Sequence, residues 1–393
     1  MNIGQASGML AFAILLVGCR NFWQASTPSG GGGCGTKCAT ISSGVFYVLN
    51  STAGNTGIAG YSIVSGKLVA LTGSPYNLPS GPYAVAVAPN NRFLYVSSQS
   101  GIYLYTIASG GALTLASTTP ISTDFVAYSM QVDLTNSWLV EASGSGYLYA
   151  IPISPTTGMK AGTVQQLSLA GITLRQMVLS PDNLNVIVAL GNSGTEVLPF
   201  NAASTNPLPA SAAVPIAVKS AEGAAVSVAV DPANRLLYIG ETSGASGPTA
   251  TGILRAFLYS SISGTPVEAT GSPYASGGLA PVSILPTAFG ANVYVANSTG
   301  SNSAAGNLAA FAVNVAGSAY SLTALSGQVA TGISPSGLAQ DSTGSVVLLV
   351  NSGGSPDLDV YIFDTANPGT LDPAFAFATG KDPVGALAIA AVP

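Results

Sequence analysis

The sequence predicts an all-β protein in which residues 44–393 form one closed seven-bladed β-propeller, with four antiparallel strands in each blade. Three observations predict this architecture. A phrase of apolar residues, a proline and Asn-Arg recurs along the chain. Each repeat contains four short apolar runs separated by turn residues, and the two ends of the chain supply complementary parts of one repeat.

The recurring phrase is clearest in VAVAPNNRFLYV (residues 85–96) and VAVDPANRLLYI (residues 228–239). Equivalent positions follow one another at steps of 45 to 55 residues, a spacing typical of propeller blades. The seven equivalent positions are Pro89, Leu134, Pro181, Pro232, Pro286, Asp341 and Pro393. The chain therefore contains seven units.

Each unit has the same internal order of strands and turns. A first apolar run, such as residues 84–88, is followed by a polar turn and a second run, such as residues 93–97. A loop rich in Gly and Ser then leads to a third run with aromatic residues, such as IYLYTI, and to a shorter fourth run, such as ALTLAS. Short runs bounded by turn residues predict strands. The first run is nearly all apolar or small, as expected for an innermost strand that is buried on both faces.

The ends of the chain predict closure of the ring. Pro393 stops the chain just after the first strand of a unit, whereas residues 45–76 supply a second, third and fourth strand and lack a first. Pairing of the C-terminal strand with these three completes the seventh blade and removes the open sheet edges.

The composition excludes several classes of function. Only 6% of the residues are charged, the ten Lys and Arg residues are scattered singly, and the net charge is −5. No basic patch exists to neutralise a row of phosphates, so we expect no nucleic-acid partner. The chain has no histidine, which removes the commonest general base and metal ligand. We expect no cofactor and a monomeric protein.

The N-terminus resembles that of a bacterial lipoprotein. Residues 9–17, MLAFAILLV, form an apolar run of signal-peptide length, and Leu-Val-Gly-Cys at residues 16–19 resembles a lipobox. The resemblance implies a signal peptide at residues 1–18, lipidation of Cys19, and an exported protein anchored to the cell envelope. An ordinary secretory signal or an uncleaved anchor is the alternative. The lack of Lys or Arg before the run departs from the lipoprotein pattern.

Residues 19–43 have the composition of a flexible Gly/Ser-rich tether. They contain Cys34 and Cys38, whose spacing permits a local disulfide in an oxidising compartment. A redox-active pair is the alternative, whereas two thiols without a histidine do not complete a zinc site.

Several motifs together resemble the lactonase-type, YVTN-repeat seven-bladed propellers over residues 44–393. These motifs are GSPY at residues 73–76 and 271–274, the apolar inner strand, the xPxNR turn and the LYV that follows it. That family includes 6-phosphogluconolactonases, carboxymuconate-type lactone enzymes and many extracytoplasmic repeat proteins. Its lactone enzymes are associated with a cluster of His, Arg and acidic residues at one mouth of the ring. Because this chain has no histidine, no catalytic residue is carried over.

The expected strand order places several rare charged residues on one face, where propellers usually bind ligands. Those in predicted blade-to-blade connections are Asp124, Arg175, Lys219, Glu222, Lys381 and Asp382, and those in predicted second-to-third loops are Glu141, Glu196, Glu241 and Asp357. Arg175 or Lys219 could bind an anionic or carbonyl group, with Glu222 or Glu141 as a base. The simpler interpretation is that charged residues occupy loops because loops are solvated.

Two weaker signals complete the analysis. Asp357 and Asp359 are two residues apart and could contribute to a calcium site, although acidic residues in one loop are usually turn formers. The aromatic third strands could form a carbohydrate platform, but such residues more often pack between blades. The sequence favours a lipid-anchored binding protein whose partner is a protein, a glycan or a small sugar lactone. A lactone hydrolase that uses Arg and Glu is the alternative.

Overall fold

A computed structural model describes most of the chain from residue 41 onward. The described residues are 41–51, 57–123, 125–169, 174–209, 213–243, 251–298, 305–353, 356–378, 383 and 389–392. The predicted signal peptide and its cleavage site, Cys19, Cys34, Cys38, Asp124, Lys381 and Asp382 lie outside them. The described residues contain no helix that is long and apolar enough to cross a membrane.

The strands form seven antiparallel sheets, one for each predicted blade. Blade 7 contains β1 (Phe46–Asn50), β2 (Gly57–Val64), β3 (Lys67–Ala70) and β4 (Tyr76–Asn77). Blade 1 contains β5 (Pro82–Val87), β6 (Phe93–Ser98), β7 (Gly101–Ile107) and β8 (Leu113–Leu115). Blade 2 contains β9 (Ala127–Val132), β10 (Trp138–Ser143), β11 (Tyr147–Pro152) and β12 (Gln165–Ser168). Blade 3 contains β13 (Gln176–Leu179), β14 (Asn185–Ala189), β15 (Thr195–Pro199) and β16 (Val214–Ile216).

The remaining strands continue the same order. Blade 4 contains β17 (Ala224–Val230), β18 (Leu236–Thr242), β19 (Ile253–Leu258) and β20 (Tyr274–Ala275), with a turn of 3₁₀ helix at Tyr259–Ser261. Blade 5 contains β21 (Ala280–Pro286), β22 (Asn292–Ser298), β23 (Ala305–Ala316), β24 (Ala319–Ala324) and β25 (Val329–Ile333). Blade 6 contains β26 (Pro335–Gln340), β27 (Val346–Asn351), β28 (Leu358–Phe363) and β29 (Leu371–Phe377). The last strand, β30 (Ile389–Ala391), belongs to blade 7.

The ring closes through the last strand of the chain. Strand β30 pairs antiparallel with β1, so that Phe46 lies opposite Ala391 and Val48 lies opposite Ile389. The sheet order β3-β2-β1-β30 makes the C-terminal strand the innermost strand of blade 7. The predicted seven-bladed fold is confirmed, and its closure by the C-terminal strand agrees with this pairing.

The recurring phrase forms the turn between the first and second strands. In six blades the fourth residue of this turn has a left-handed φ between 54° and 69°, and its N–H donates to the carbonyl oxygen of the first turn residue. These fourth residues are Asn91, Asn136, Asn183, Asn234, Gly290 and Gly344. Asn and Gly are the residues that tolerate this conformation. The phrase recurs because every blade makes the same turn.

The same turns connect neighbouring blades. The side-chain oxygen of Asn136 in blade 2 accepts a hydrogen bond of 3.0 Å from the backbone N–H of Asn90 in blade 1. Arg235 in blade 4 forms an ion pair of 2.6 Å with Asp231 in its own turn and donates to the Gly290 carbonyl of blade 5. The left-handed Asn therefore serves both the turn and the interface between blades.

The tyrosine of the LYV motif also joins one blade to the next. Its hydroxyl donates to the carbonyl of a glycine in the third-to-fourth connection of the following blade. The pairs are Tyr47 with Gly111 at 2.7 Å, Tyr95 with Gly158 at 2.8 Å and Tyr294 with Gly369 at 3.0 Å. All three glycines have positive φ. A buried hydroxyl is thereby satisfied at the interface that it helps to form.

The strand order defines two faces of the ring. We call the side formed by the blade-to-blade and second-to-third connections the mouth face. The opposite side, formed by the first-to-second and third-to-fourth connections, is the turn face. The apolar core lies between neighbouring blades, in clusters that each take side chains from more than one sheet.

Candidate functional site

The first strands carry an extra residue at their mouth end. In five blades one residue has no cross-strand partner, because the register shifts around it. These bulged residues are Tyr83, Tyr128, Val226, Val282 and Ser336. Arg175 occupies the corresponding place in blade 3, just before β13, and its N–H donates to Ala189 at 2.9 Å. Bulges reorient side chains and are frequent beside functional sites.

Three neighbouring blades place Tyr83, Tyr128 and Arg175 at this position. The two tyrosine rings are in contact, with centroids 5.1 Å apart and planes tilted by 56°. Tyr128 is 48% exposed, Arg175 is exposed and Tyr83 is half-buried. Blades 4, 5 and 6 have Val226, Val282 and Ser336 here, so the described part of the mouth is asymmetric. We call Tyr83, Tyr128 and Arg175 the mouth arc.

Two glycines lie beside the mouth arc, and one of them makes room for the ring of Tyr128. A Cβ on Gly144 would lie 2.6 Å from a ring carbon of Tyr128, and a Cβ on Gly191 would lie 3.7 Å from Nε of Arg175. Each glycine belongs to the second-to-third turn of the same blade. The Tyr128 ring therefore lies against a backbone surface that only glycine provides. Exposed aromatic rings bind apolar ring faces, and a guanidinium binds carboxylate or carbonyl oxygens, so the arc combines both capacities.

Arg175, Lys219 and Glu222 lie where the sequence placed them. Arg175 is in the connection between β12 and β13, and the other two are in the connection between β16 and β17. All three are exposed. Among the residues that the structure describes, no ion pair joins Arg175 or Glu222 to an oppositely charged side chain. The role predicted for Glu222 as a base therefore stays a prediction.

Glu141, Glu196 and Glu241 lie in strands, and their predicted placement in second-to-third loops is wrong. Glu141 is the fourth residue of β10 and is fully buried. It lies opposite Met130, at a position that the corresponding pairings of other blades fill with aliphatic residues such as Val96 and Ile239. A polar residue after an apolar run resembles the start of a loop, whereas here each strand continues through its glutamate.

Glu196 is the second residue of β15, and burial raises the pKa of its carboxyl. Glu241 is the second-to-last residue of β18 and is 1% exposed. Both lie near the mouth ends of their strands. The part proposed for Glu196 and Glu241 in ligand binding stays a prediction.

Glu241 belongs to a charge network that the sequence analysis missed. The Arg255 guanidinium in β19 forms ion pairs of 2.8 Å with Glu241 and 2.5 Å with Glu268, and it donates to the Ala217 carbonyl at 2.7 Å. The backbone N–H of Lys219 donates to Glu241 at 2.8 Å, and its ammonium lies 3.5 Å from Glu268. Two of the predicted binding-face residues thus fasten the connection between blades 3 and 4 to blade 4.

The electrostatics of this network stabilise the Glu268 carboxylate. Burial raises the pKa of Glu268, but hydrogen bonds from Arg255 and Ser272 and the charges of Arg255 and Lys219 outweigh it, so that the pKa lies below its ordinary value. The guanidinium also lies over the Phe257 ring, 4.7 Å from its centroid. A charged residue within the aromatic third strand LRAFLY was the signal for this network in the sequence.

The weak calcium candidates lie at the second-to-third connection of blade 6. Asp357 is in the loop, as predicted, and is buried. Asp359 lies in β28, where its carboxylate accepts hydrogen bonds of 2.9 Å from Gly332 and from Asn351. Burial raises the pKa of Asp359 despite these hydrogen bonds. Within the described part of the chain, no group of three or more acidic, His or Cys side chains could hold a metal ion.

Comparisons with known proteins agree with the fold. No family model matches the sequence, and no curated protein matches it. A solved structure from Bacteroides fragilis, provisionally named a 6-phosphogluconolactonase, has a TM-score of 0.67 at 16% identity, with 89% of this chain and 98% of that chain covered. A similarly named protein from Bacteroides uniformis has a TM-score of 0.66 at 18% identity, covering 88% of this chain and 99% of that chain.

The periplasmic gluconolactonase of Pseudomonas aeruginosa is equally similar. Its TM-score is 0.66 at 18% identity, and the alignment covers 90% of this chain and 100% of that chain. Nearly the whole of each of these proteins is matched, and at such identities the similarity concerns the fold. The chain is therefore a seven-bladed β-propeller with the fold of proteins named gluconolactonase and 6-phosphogluconolactonase.

Proposed function

We propose that this protein is a binding protein of the cell envelope that holds its ligand at the mouth arc. The observation that supports the proposal is the placement of Tyr83, Tyr128 and Arg175 at one structural position of three adjacent blades. The rings offer an apolar surface and the guanidinium offers paired donors for an anion. The ligand class that fits is a ring-bearing molecule with a carboxylate, such as an acidic glycan.

Calorimetric titration with glucuronate and galacturonate oligosaccharides, and with their neutral counterparts, tests this proposal. Tyr128→Ala should weaken binding of both ligand classes about tenfold, because it removes a stacking contact. Arg175→Ala should weaken binding of the acidic ligands about tenfold or more and leave the neutral ligands unchanged. The matched controls are Phe289→Ala and Arg92→Ala, which remove an exposed aromatic and an exposed arginine from the turn face. Equal affinities of the parent and Arg175→Ala for the acidic ligands would contradict the proposal.

The alternative function is lactone hydrolysis, and the names of the similar structures favour it. In this alternative, Arg175 polarises the lactone carbonyl and Glu222 accepts a proton from the attacking water. Hydrolysis of glucono-1,5-lactone above the spontaneous rate, abolished by Arg175→Ala and by Glu222→Ala, would establish it. Glu141 is enclosed within blade 2, so Glu141→Gln should change stability and leave the rate of hydrolysis unchanged if the role of this residue is structural.

We further propose that the protein is exported and anchored through a lipid on Cys19. The apolar run and the lipobox-like residues 16–19 support this proposal. Replacement of Cys19 by Ser should move the protein from the membrane fraction to the soluble fraction. A membrane fraction that stays unchanged would show that Cys19 is not the anchor.

A further inference from the structure

The exposed apolar side chains are concentrated on the turn face. Among the described residues, nine large apolar side chains are exposed, and seven of them lie at first-to-second or third-to-fourth connections. These seven are Val64, Leu134, Met159, Leu184, Val267, Phe289 and Val315. Phe289 is 80% exposed at the tip of its turn. Tyr128 is the one of the nine that lies at the mouth.

The charges of the turn face complement this apolar set. Lys67, Arg92 and Lys160 are exposed there. The acidic residues of the described turns are less accessible. Asp133 and Asp341 are buried, and their carboxylates accept hydrogen bonds from the backbone of their own turns. Asp182 and Asp364 are half-buried on this face and Asp231 is paired with Arg235, so Lys67, Arg92 and Lys160 are its most exposed charges, although the whole chain has a net charge of −5.

The N-terminal segment joins the propeller at the same face. The carbonyl of Ile41 accepts a hydrogen bond of 2.8 Å from Gly66 in the β2–β3 turn, and Ser43 N–H donates to Ile63 at 2.9 Å. Gly44 N–H donates to Asp341 at 3.2 Å in the first turn of blade 6. The 40 residues that precede this point include Cys19, the proposed site of the lipid anchor.

A cavity opens on this face where the ends of the chain meet. It has a volume of about 420 Å³ and lies between blades 7 and 1, with the apolar side chains of Val45, Ile107 and Val392 and the polar side chains of Asn91 and Arg92 in its wall. The cavity adds a recess with mixed polar and apolar walls and a cation in one of them.

We propose that the turn face docks on the surface of a lipid bilayer that contains anionic headgroups. Apolar turn tips at the edge of five different blades can enter one fluid interface together, and the three exposed cations face the headgroups. The N-terminal segment leaves the propeller on the same side, so an anchor there and the turn tips reach one membrane. The mouth arc then points away from the bilayer and stays open to ligands.

Site-specific tryptophan fluorescence tests this orientation in the full-length protein. The variants Phe289→Trp and Tyr128→Trp each place an exposed indole where an exposed aromatic ring already stands, on opposite faces. Each is bound to vesicles of phosphatidylcholine and phosphatidylglycerol with brominated acyl chains, and the emission of the parent protein is subtracted. Phe289→Trp should be quenched about threefold more than Tyr128→Trp, because interfacial side chains reach about 5–10 Å into the bilayer.

A combined variant tests with the same reporter whether the apolar tips make the contact. Adding Leu184→Asp and Met159→Asp to Phe289→Trp should reduce its quenching to the level of Tyr128→Trp, while thermal unfolding is unchanged because both residues are exposed. Equal quenching on the two faces, or no quenching of a chain that stays on the vesicles, would overturn the proposal. The second outcome would assign the apolar tips to a protein partner or a second copy. A chain that does not float with vesicles also overturns it.

Discussion

The Arg255 network allows a quantitative test of what fastens the connection between blades 3 and 4 to blade 4. Arg255 and Glu241 are 6% and 1% exposed, and their ion pair measures 2.8 Å. Arg255→Ala leaves the Glu241 carboxylate enclosed. Among the hydrogen bonds of the described residues, the one from the N–H of Lys219 then remains to it. Loss of one partner of a buried ion pair costs about 3–5 kcal/mol, mostly because a buried charge loses its compensation.

The assay is thermal and urea unfolding of the purified propeller. With an unfolding entropy of about 2 cal/mol/K per residue over about 350 residues, a loss of 3–5 kcal/mol lowers Tm by about 4–7 °C. The double variant Arg255→Met with Glu241→Leu removes both charges and should recover most of the loss, because apolar replacement of a buried pair is often neutral. Arg235→Ala should cost less, because the Arg235 side chain is 26% exposed against 7% for Arg255 and water can take its place. A shift below about 1 °C for Arg255→Ala, or no recovery in the double variant, would refute this reasoning.

Three further predictions concern the repeated elements. Tyr95→Phe removes the hydroxyl that donates to Gly158 at 2.8 Å, and it should lower the free energy of unfolding by about 1–2 kcal/mol in urea titrations. Burial raises the pKa of Tyr259 to about 12. The stabilising contribution of this residue is therefore complete below the ordinary pKa near 10 and decreases as pH rises through about 12. The free energy of unfolding should fall between pH 10 and 12, with a slope of up to about 1.4 kcal/mol per pH unit for this residue. Stability that is level across this range would contradict the assignment. Asn136→Ala places alanine at a φ of 57° and removes the acceptor of Asn90, which should cost about 1–2 kcal/mol. Asn136→Gly retains the turn and should cost less, as the difference in urea midpoint would show.

Much of the fold could be predicted from the sequence because each blade obeys the same local rules. The left-handed position of the turn needs Asn or Gly, the inner strand needs small or apolar residues, and the Tyr of LYV bonds to the next blade. These requirements produce similar residues at steps of 45 to 55 residues along the chain. Chain closure could also be predicted, because the strand missing from the N-terminal unit is the one left over at the C-terminus.

The candidate site was only partly predictable. Arg175 was found because it is one of few charged residues and precedes an inner strand. Tyr83 and Tyr128 were overlooked because aromatic residues are abundant in this chain, and their common position becomes visible when the turns are aligned. The position of Glu141 in a strand could not be predicted, since a carboxylate after an apolar run resembles the start of a loop.

The sequence by itself determined the number of blades, the order of strands and the place where the ring closes, because these follow from short-range patterns that repeat. The tertiary structure decided which side chains meet. Tyr83 and Tyr128 are 45 residues apart in the chain, yet their rings are 5.1 Å apart, and a bulge in each inner strand directs them to the mouth. Arg255 finds its two carboxylates for the same reason: adjacent strands and blades bring together residues whose separation along the chain carries no signal of contact.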